Sequence, residues 1–356
     1  MAHNFAGHVV RTVLDGETSC DSCEQSLARH QGPGVVHGYR FPVGEVALAL
    51  VRVGQGMTYS EAARRAKVRT RRGSTPTAQL VGNWVEVFGP VVTAARAETV
   101  WPETVVIDSK ELHANKPGGG TGAVFTLLGA FGYEAGQTRG RLVALKAVPG
   151  SASNRKWARL LGSLQGQPTL LITDRDLGAI RAVGQVFPDT VIRLCRWHVR
   201  RGLTNAVRAA VGSSKTHPLR IDAETATNGP FEWNSFQALA AQYSYPSVTN
   251  FIQTYDKHLA AEFIGASARQ VVLPDHWANG AVEGALLRVG ETLKPRAFPL
   301  RNAERTNRLL ELFRFAENRW DDVGAYSAAI REHVTTGGKL TPQLTIKDPA
   351  GQPSLR

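Results

Sequence analysis

Two short apolar runs in the middle of the chain each end in an aspartate. Residues 104–107 (TVVI) lead into Asp108, and residues 170–173 (LLIT) lead into Asp174. Continuously apolar runs rich in β-branched residues are typical of strands that are buried on both faces. Ligands bind beyond the carboxyl ends of such strands, so we expect both aspartates at one sheet edge, where paired carboxylates suit a divalent cation.

The residues around these aspartates predict a mixed sheet. Asp176 falls past the second strand, and we expect it to cap the following helix rather than to bind metal. Three antiparallel-type strands followed by alternating strands and helices match a ribonuclease H-like sheet in element order, so the predicted fold class is α/β. The other predicted strands cover residues 123–133, 141–148 and 190–194, and the predicted helices cover residues 154–164 and 177–186.

Between residues 42 and 88 the apolar positions follow a helical period. One helix is predicted over residues 46–53, and a second begins after Thr58, with Glu61 placed to complete a capping box. A third helix begins near residue 76, after a basic run that includes Arg69, Arg71 and Arg72. This order resembles a helix-turn-helix DNA-binding domain over residues 41–98; an ordinary three-helix unit with solvated arginines is the alternative.

Residues 1–40 show no sustained period. Cys20 and Cys23 have the spacing of a zinc knuckle, and His30 or His37 would complete the ligands. No second cysteine pair of this spacing follows, so a loose segment with two free thiols is the preferred interpretation and a zinc knuckle is the alternative.

The C-terminal half of the chain changes character. Residues 211–275 lose the strand pattern and predict an inserted helical segment, whereas residues 281–316 predict further helix interrupted by two prolines. Residues 336–356 are expected to be a frayed tail.

Charge favours a polyanionic partner. The 356 residues include 42 Lys plus Arg against 30 Asp plus Glu, a formal net charge of +12. Neutralising phosphates releases counterions, so this excess favours nucleic acid; a merely basic, well-solvated surface is the alternative.

No stretch of about 18 apolar residues predicts a membrane span. The N-terminus lacks a signal-peptide pattern, and three cysteines fit a reducing compartment.

Several motifs in this order resemble the Mutator-type DDE transposases and their bacterial insertion-sequence relatives. They are Asp108 after an apolar strand, ITD at 172–174, VFP at 186–188, CRWH at 195–198, and Glu283 after a helical insertion. The resemblance covers roughly residues 100–320, and an N-terminal helix-turn-helix is also usual in such enzymes. It implies a ribonuclease H-like catalytic domain that cuts and joins transposon ends with Mg²⁺ or Mn²⁺.

The resemblance also implies roles for particular residues. Asp108, Asp174 and Glu283 would be the metal ligands. Cys195 and His198 would form the C-x-x-H element, with His198 close to the metal or the scissile phosphate. The family often carries Thr-Asn before the glutamate, whereas here Asn279 lies four residues upstream, so the alternative third ligand is Glu291.

Basic and aromatic side chains near these motifs have two interpretations each. The basic residues are expected to line the DNA path, or else to form a solvated face; they are Lys110, Arg288, Lys294 and Arg296. Trp157, Trp197 and Trp277 are interpreted as packing residues rather than as platforms for stacked bases.

The sequence thus predicts a DNA transposase, acting on double-stranded transposon ends and target DNA as a homodimer or higher oligomer. A bacterial cytoplasmic, nucleoid-associated location is expected. The catalytic domain would comprise residues 99–210 and 276–335. The alternatives are a ribonuclease H-like nuclease without strand transfer, or a domesticated or degraded copy that only binds DNA.

Overall fold

The computed structural model describes residues 41–66, 75–94, 96–115, 121–274, 279–294, 303–336 and 338, and three short strands before them. The chain divides into two compact units, residues 1–96 with 311–356 and residues 97–310. The division falls inside a helix and assigns residues 311–335 to the first unit, whereas the sequence grouped them with the catalytic domain.

Strands and helices in the described residues are numbered in chain order. The strands are β1 (Val10–Thr12), β2 (Thr18–Cys20), β3 (Ser26–Leu27), β4 (Thr104–Asn115), β5 (Thr121–Tyr133), β6 (Arg141–Pro149), β7 (Leu170–Thr173) and β8 (Val191–Leu194). The helices are α1 (Val43–Gly54), α2 (Tyr59–Arg65), α3 (Ala78–Ala94), α4 (Asn154–Leu161), α5 (Leu177–Val186), α6 (Arg196–Val211), α7 (Pro218–Asp222), α8 (Pro230–Tyr243), α9 (Pro246–Ala268), α10 (Gly280–Leu293), α11 (Ala303–Glu317) and α12 (Val323–Thr335).

The first unit contains the predicted helices α1 to α3. Thr58 caps α2 as expected: its hydroxyl accepts the Glu61 N–H at 3.2 Å, and its own N–H donates to the Glu61 carboxylate at 2.8 Å. The basic run with Arg69, Arg71 and Arg72 lies outside the described residues, so its contact with DNA stays a prediction.

The N-terminal segment contains regular structure that the sequence did not predict. Strands β1, β2 and β3 form a three-stranded antiparallel sheet, in which Cys20 pairs with Val10. Cys23, His30 and His37 lie outside the described residues, and the choice between a zinc knuckle and free thiols stays open.

The second unit is a mixed α/β structure built on a five-stranded sheet with the order β6-β5-β4-β7-β8. Strands β4, β5 and β6 pair antiparallel, and β4, β7 and β8 pair parallel. One prediction was wrong in detail: β4 does not end at Asp108. It runs on to Asn115, because its antiparallel pairing with β5 continues after the parallel pairing with β7 has stopped.

The two faces of this sheet are covered by different helices. Val105 and Ile107 on β4 and Leu171 on β7 point into a core formed with α4 and α5, which contains Trp157 and Val183. Because side chains alternate along a strand, the even-numbered residues of β4 and β7 point to the opposite face. Helix α10 packs on that face, against β4 and β5.

The insertion predicted from residue 211 is helical, as α7, α8 and α9. These helices share a core with α6, centred on Leu203, Trp233 and Phe236, and Leu194 of β8 joins it.

No helix in the described part of the chain is long and apolar enough to cross a bilayer.

Candidate functional site

The register of the sheet brings Asp108 and Asp174 side by side. The last paired residues of the parallel β4–β7 ladder are Val106 and Ile172. Asp108 on β4 and Asp174, directly after β7, each lie two residues beyond that pair. A shift of two residues keeps a side chain on the same face, and neighbouring strands lie about 4.8 Å apart. The two aspartates therefore lie next to each other on the face that α10 covers, as the sequence predicted.

A missing side chain on β5 lets α10 approach this position. Gly129 pairs directly with Asp108 across the antiparallel ladder, and opposite residues share a face. A Cβ at Gly129 would lie 3.0 Å from both Val282 and Leu286 of α10. Glu283, in the first turn of α10, follows Val282 directly, so this close packing carries Glu283 toward Asp108.

A second glycine, Gly290 on α10, allows a similar close approach to β4. A Cβ at Gly290 would lie 3.0 Å from the Lys110 side chain and 3.5 Å from that of Leu112. Both contacts lie on β4, so α10 runs along the strand that carries Asp108. A glycine inside a strand marks a place where another segment approaches closely, and this signal in β5 was missed by the sequence analysis.

Cys195 and Asn279 tie the start of α10 to the end of β8. The Cys195 N–H donates to the Thr173 carbonyl at 2.6 Å, which sets Cys195 beside the end of β7. The buried Cys195 sulfur accepts the Asn279 N–H at 3.4 Å, and the Asn279 carbonyl accepts the Glu283 N–H at 2.8 Å. Asn279 lies four residues before Glu283, which departs from the family pattern. Four residues are about one helical turn, so Asn279 lies directly beneath Glu283.

Burial and the neighbouring acids raise the pKa of Asp108 to about 7 from an ordinary value of 3.8. Burial is the largest cause, and the carboxylates of Asp174 and Glu283 raise the pKa further because an ionised Asp108 is repelled by both. The Ser109 N–H, which donates to Asp108 Oδ1 at 2.7 Å, lowers the pKa, as does the Asn279 amide. Asp108 thus interacts with both predicted partner acids.

The alternative third acid, Glu291, has a different partner. It is exposed near the end of α10 and forms an ion pair with Lys294 at 2.5 Å. The charge of Glu283 raises the pKa of Asp108, and that of Glu291 does not. Glu283 is therefore the better candidate of the two.

The predicted basic residues are distributed along α10 and β4. Arg288 and Lys294 are exposed on α10, and the half-buried Lys110 packs its stem under Gly290. Arg296 lies outside the described residues. Contact between these side chains and DNA stays a prediction.

Two polar groups beside the acids have unused hydrogen-bonding atoms. The Asn279 side chain is 1% exposed, and neither its oxygen nor its nitrogen makes a hydrogen bond of full geometry within the described residues. His198 lies in the first turn of α6, and its buried Nδ1 likewise lacks a partner there. Buried polar groups are normally hydrogen-bonded, and the Asn279 amide faces the Asp108 carboxylate, whose pKa it lowers.

The tryptophans divide into packing and exposed residues. Trp157 is buried, as predicted, and its Nε1 donates to Asp176 at 2.9 Å. Asp176 also caps α5, as expected, through the N–H groups of Gly178 and Ala179. Trp197 differs from its interpretation as a packing residue: it is 48% exposed. Trp277 lies outside the described residues.

Divalent metal was predicted here, and the donor set suits Mg²⁺. No group of three or more His, Cys, Asp or Glu side chains in the described residues forms a site that could hold a metal ion. Mg²⁺ does not need such a cage, because it keeps several waters and is commonly held by one or two carboxylates and the phosphates of a substrate. Asp108 and Asp174 supply hard oxygen donors of this kind, and the Asn279 amide faces Asp108.

A second buried acid lies on the other side of β8. Glu262 of α9 and Arg193 of β8 are each 2% exposed, and Arg193 Nε lies 3.5 Å from Glu262 Oε1. The other oxygen accepts the Leu194 N–H at 2.9 Å. Burial raises the pKa of Glu262 to about 7, although Arg193 and the Leu194 N–H lower it. This pair was not singled out from the sequence.

Comparison with known families agrees with the motifs. Residues 139–272 match the sequence model of a family described as "Transposase, Mutator family". The match includes Asp174, Cys195 and His198, and lies between Asp108 and Glu283. No curated protein matches the chain. The match supports a transposase role, and it confirms over residues 139–272 the resemblance to the Mutator family of transposases.

Proposed function

We propose that the protein is a DNA transposase that cuts and joins transposon ends by divalent-metal-dependent phosphoryl transfer on a ribonuclease H-like fold. The proposal depends on one observation above all. Asp108 and Asp174 occupy equivalent positions on adjacent parallel strands, and Glu283 acts on the pKa of Asp108 from the helix packed above them.

Asp108, Asp174 and Glu283 would hold Mg²⁺ or Mn²⁺. The bound ions would supply a nucleophile at neutral pH and stabilise charge on the phosphoryl oxygens. The raised pKa of Asp108 reflects its burial first and then the repulsion from Asp174 and Glu283, so its ionised form is poorly stabilised without a cation. The cluster therefore has a chemical reason to bind metal.

The neighbouring residues would position the acids and the DNA. Cys195 accepts the Asn279 N–H and so fixes the start of α10, which carries Glu283. The Asn279 amide faces Asp108 and would orient its carboxylate or a bound water. His198 would position the scissile phosphate, and its buried Nδ1 has no hydrogen-bond partner within the described residues. Paired transposon ends would require a dimer or higher oligomer.

Basic residues would hold the DNA along α10. Arg288, Lys294 and Lys110 are candidates for phosphate contacts, and the chain carries a formal net charge of +12. Each phosphate contact releases counterions, so the affinity for duplex DNA should fall steeply as salt rises. A flat salt dependence would argue against this role.

Asp108→Asn tests the central claim. We expect Mg²⁺-dependent strand cleavage to fall by at least about 1,000-fold, because several kcal/mol of charge stabilisation would be lost. Duplex binding in EDTA should stay within about twofold, since the side chain is not a phosphate contact. The matched control is Asp189→Asn, an exposed acid after α5, which should cleave normally.

Two outcomes would separate the rival functions. Cleavage without joining of end-containing DNA to a target would identify a nuclease rather than a transposase. DNA binding with no cleavage in the unaltered protein would indicate a degraded copy. Equal loss of binding and cleavage in Asp108→Asn would contradict a metal role for this residue.

A further inference from the structure

Trp197 is exposed at the same sheet edge as the candidate acids. It lies in the first turn of α6, directly after β8, whose partner strand β7 leads into Asp174. Four of the six described tryptophans are buried, namely Trp84, Trp101, Trp157 and Trp233, and Trp320 is half-buried. Trp197 alone among these six is exposed, at 48%.

Nothing in the packing of α6 requires an indole at this position. The helix buries Val199, Leu203 and Val207, which are spaced four residues apart and face the core of the insertion. Trp197 lies two residues before Val199, about 200° around the helix, and so points away from that core. The indole is therefore available to a ligand at this edge.

The ring is nevertheless held in a defined orientation. The guanidinium carbon of Arg201, one turn further along α6, lies 4.9 Å from the centre of the Trp197 ring. The His198 ring meets it edge-on, with centroids 4.8 Å apart and planes at 89°. A cation on the ring and an aromatic edge beside it reduce the motion of the indole before any ligand binds.

We propose that Trp197 stacks against an unpaired nucleobase of the DNA, next to the phosphate that is cut. This inference rests on the proposed function, because it takes DNA as the ligand of this edge. Every base has a flat π-face, so an exposed indole binds bases with little sequence preference. Arg201, which is exposed beside the ring, supplies a positive charge for the adjoining phosphate.

The stacked base must leave its duplex partner. Enzymes that do chemistry on a base extrude it from the stack, and the unstacking costs least for a mismatched or single-stranded base. Stacking on Trp197 would offset this cost at the start of α6, where His198 is the next residue. Trp197 is thus a positioning residue: it would set the path of the strand and take no part in bond breaking.

The test compares single-stranded and duplex DNA binding in EDTA, where no cleavage occurs. Trp197→Ala should weaken binding of a short oligothymidine by about 5- to 150-fold, the range for loss of one stacked base. Binding of a duplex of the same length should change far less. Trp197→Phe, which keeps an aromatic face, should retain most of the affinity. The matched control is Phe231→Ala, which removes an aromatic side chain that is 79% exposed on α8.

A spectroscopic signature distinguishes stacking from a structural effect. A mismatched duplex carrying 2-aminopurine should be quenched by the unaltered protein and should become brighter with Trp197→Ala. Equal losses for both DNA forms, or no loss for either, would overturn the proposal. The metal role is tested by strand cleavage in Asp108→Asn. Oligothymidine binding by that variant should be unchanged. The two claims therefore fail separately.

Discussion

Two acids in the second unit share a pKa of about 7 but face opposite surroundings. Burial is the main cause at both Asp108 and Glu262. Asp108 is further opposed by Asp174 and Glu283, whereas Glu262 lies beside the guanidinium of Arg193 and accepts the Leu194 N–H. One acid adds to a concentration of negative charge, and the other balances a positive charge inside the protein.

This difference separates a functional site from a structural contact. A buried acid paired with a cation is already compensated, so its removal should harm the fold. Acids grouped with other acids lack that compensation, so removal of one should relieve repulsion and harm only the function that needs the charge. Changes at the two acids should therefore differ in their effect on stability.

Removal of Glu262 should have the largest effect. Glu262→Ala leaves Arg193 buried without this carboxylate and takes the acceptor from the Leu194 N–H. The free energy of unfolding should fall by about 3–5 kcal/mol. Urea denaturation followed by circular dichroism measures the loss.

Two variants make that prediction specific. Asp108→Asn should change the free energy of unfolding by less than about 1 kcal/mol, or raise it, because repulsion from Asp174 and Glu283 disappears. Replacing the whole pair, with Arg193→Met and Glu262→Leu together, should recover most of the loss. A similar loss in Asp108→Asn and Glu262→Ala would erase the distinction between the two regions.

Mg²⁺ should stabilise the folded protein by binding at Asp108 and not at Glu262. At a free concentration about 100 times its dissociation constant, a ligand adds about 2.7 kcal/mol to the stability of the folded state. A thermal melt should therefore shift upward with Mg²⁺, and EDTA should reverse the shift. The shift should vanish in Asp108→Asn and persist in Glu262→Ala; its persistence in both would exclude Asp108 as a ligand.

The sequence predicted one half of the candidate site better than the other. Asp108 and Asp174 were found because an apolar run followed by an acid is a local pattern, and local patterns determine strands. The pairing of those strands then fixes the aspartates. The end of β4 was misjudged because a pairing with β5, not the composition of the run, continues the strand to Asn115.

Positions that depend on packing between distant segments were harder to predict. Glu283 is 109 residues from Asp174, and its place above Asp108 depends on Gly129 and Gly290, whose missing side chains admit α10. Trp197 was interpreted as a packing residue from its type. Its phase against the buried stripe of α6 was the signal that it faces outward.

Filling the space at Gly129 tests this packing directly. A side chain there would meet Val282 and Leu286 at 3.0 Å, so Gly129→Val should cost about 1–3 kcal/mol of stability. Strand cleavage should fall as well, because α10 must move and carries Glu283 with it. The control is Gly184→Ala on α5, where nothing lies within 4 Å and about 0.5–1 kcal/mol should be gained. Normal cleavage by a stable Gly129→Val variant would contradict the placement of α10 above Asp108.

The smallest expected effect on stability concerns His258, which lies near Glu262 on α9. His258 on α9 lines a cavity of about 210 Å³ that Glu262 also lines. Burial lowers the pKa of His258 below its ordinary 6.5, and the charges of Arg175 and Lys257 lower it further. Protonation of this histidine is therefore resisted in the folded protein, whereas protonation of Glu262 is favoured there.

These two shifts give opposite slopes of stability against pH. Below about pH 6.5 the unfolded chain takes up a proton at His258 that the folded protein resists, so stability falls as the pH is lowered. At Glu262 the folded protein holds its proton up to about pH 7, so stability falls as the pH is raised from about 4.5. Comparing the unaltered protein with His258→Gln isolates the first slope: the variant should lose less stability between pH 7 and pH 5. An identical pH profile would show that neither burial nor the charges of Arg175 and Lys257 disfavour the protonated form of His258.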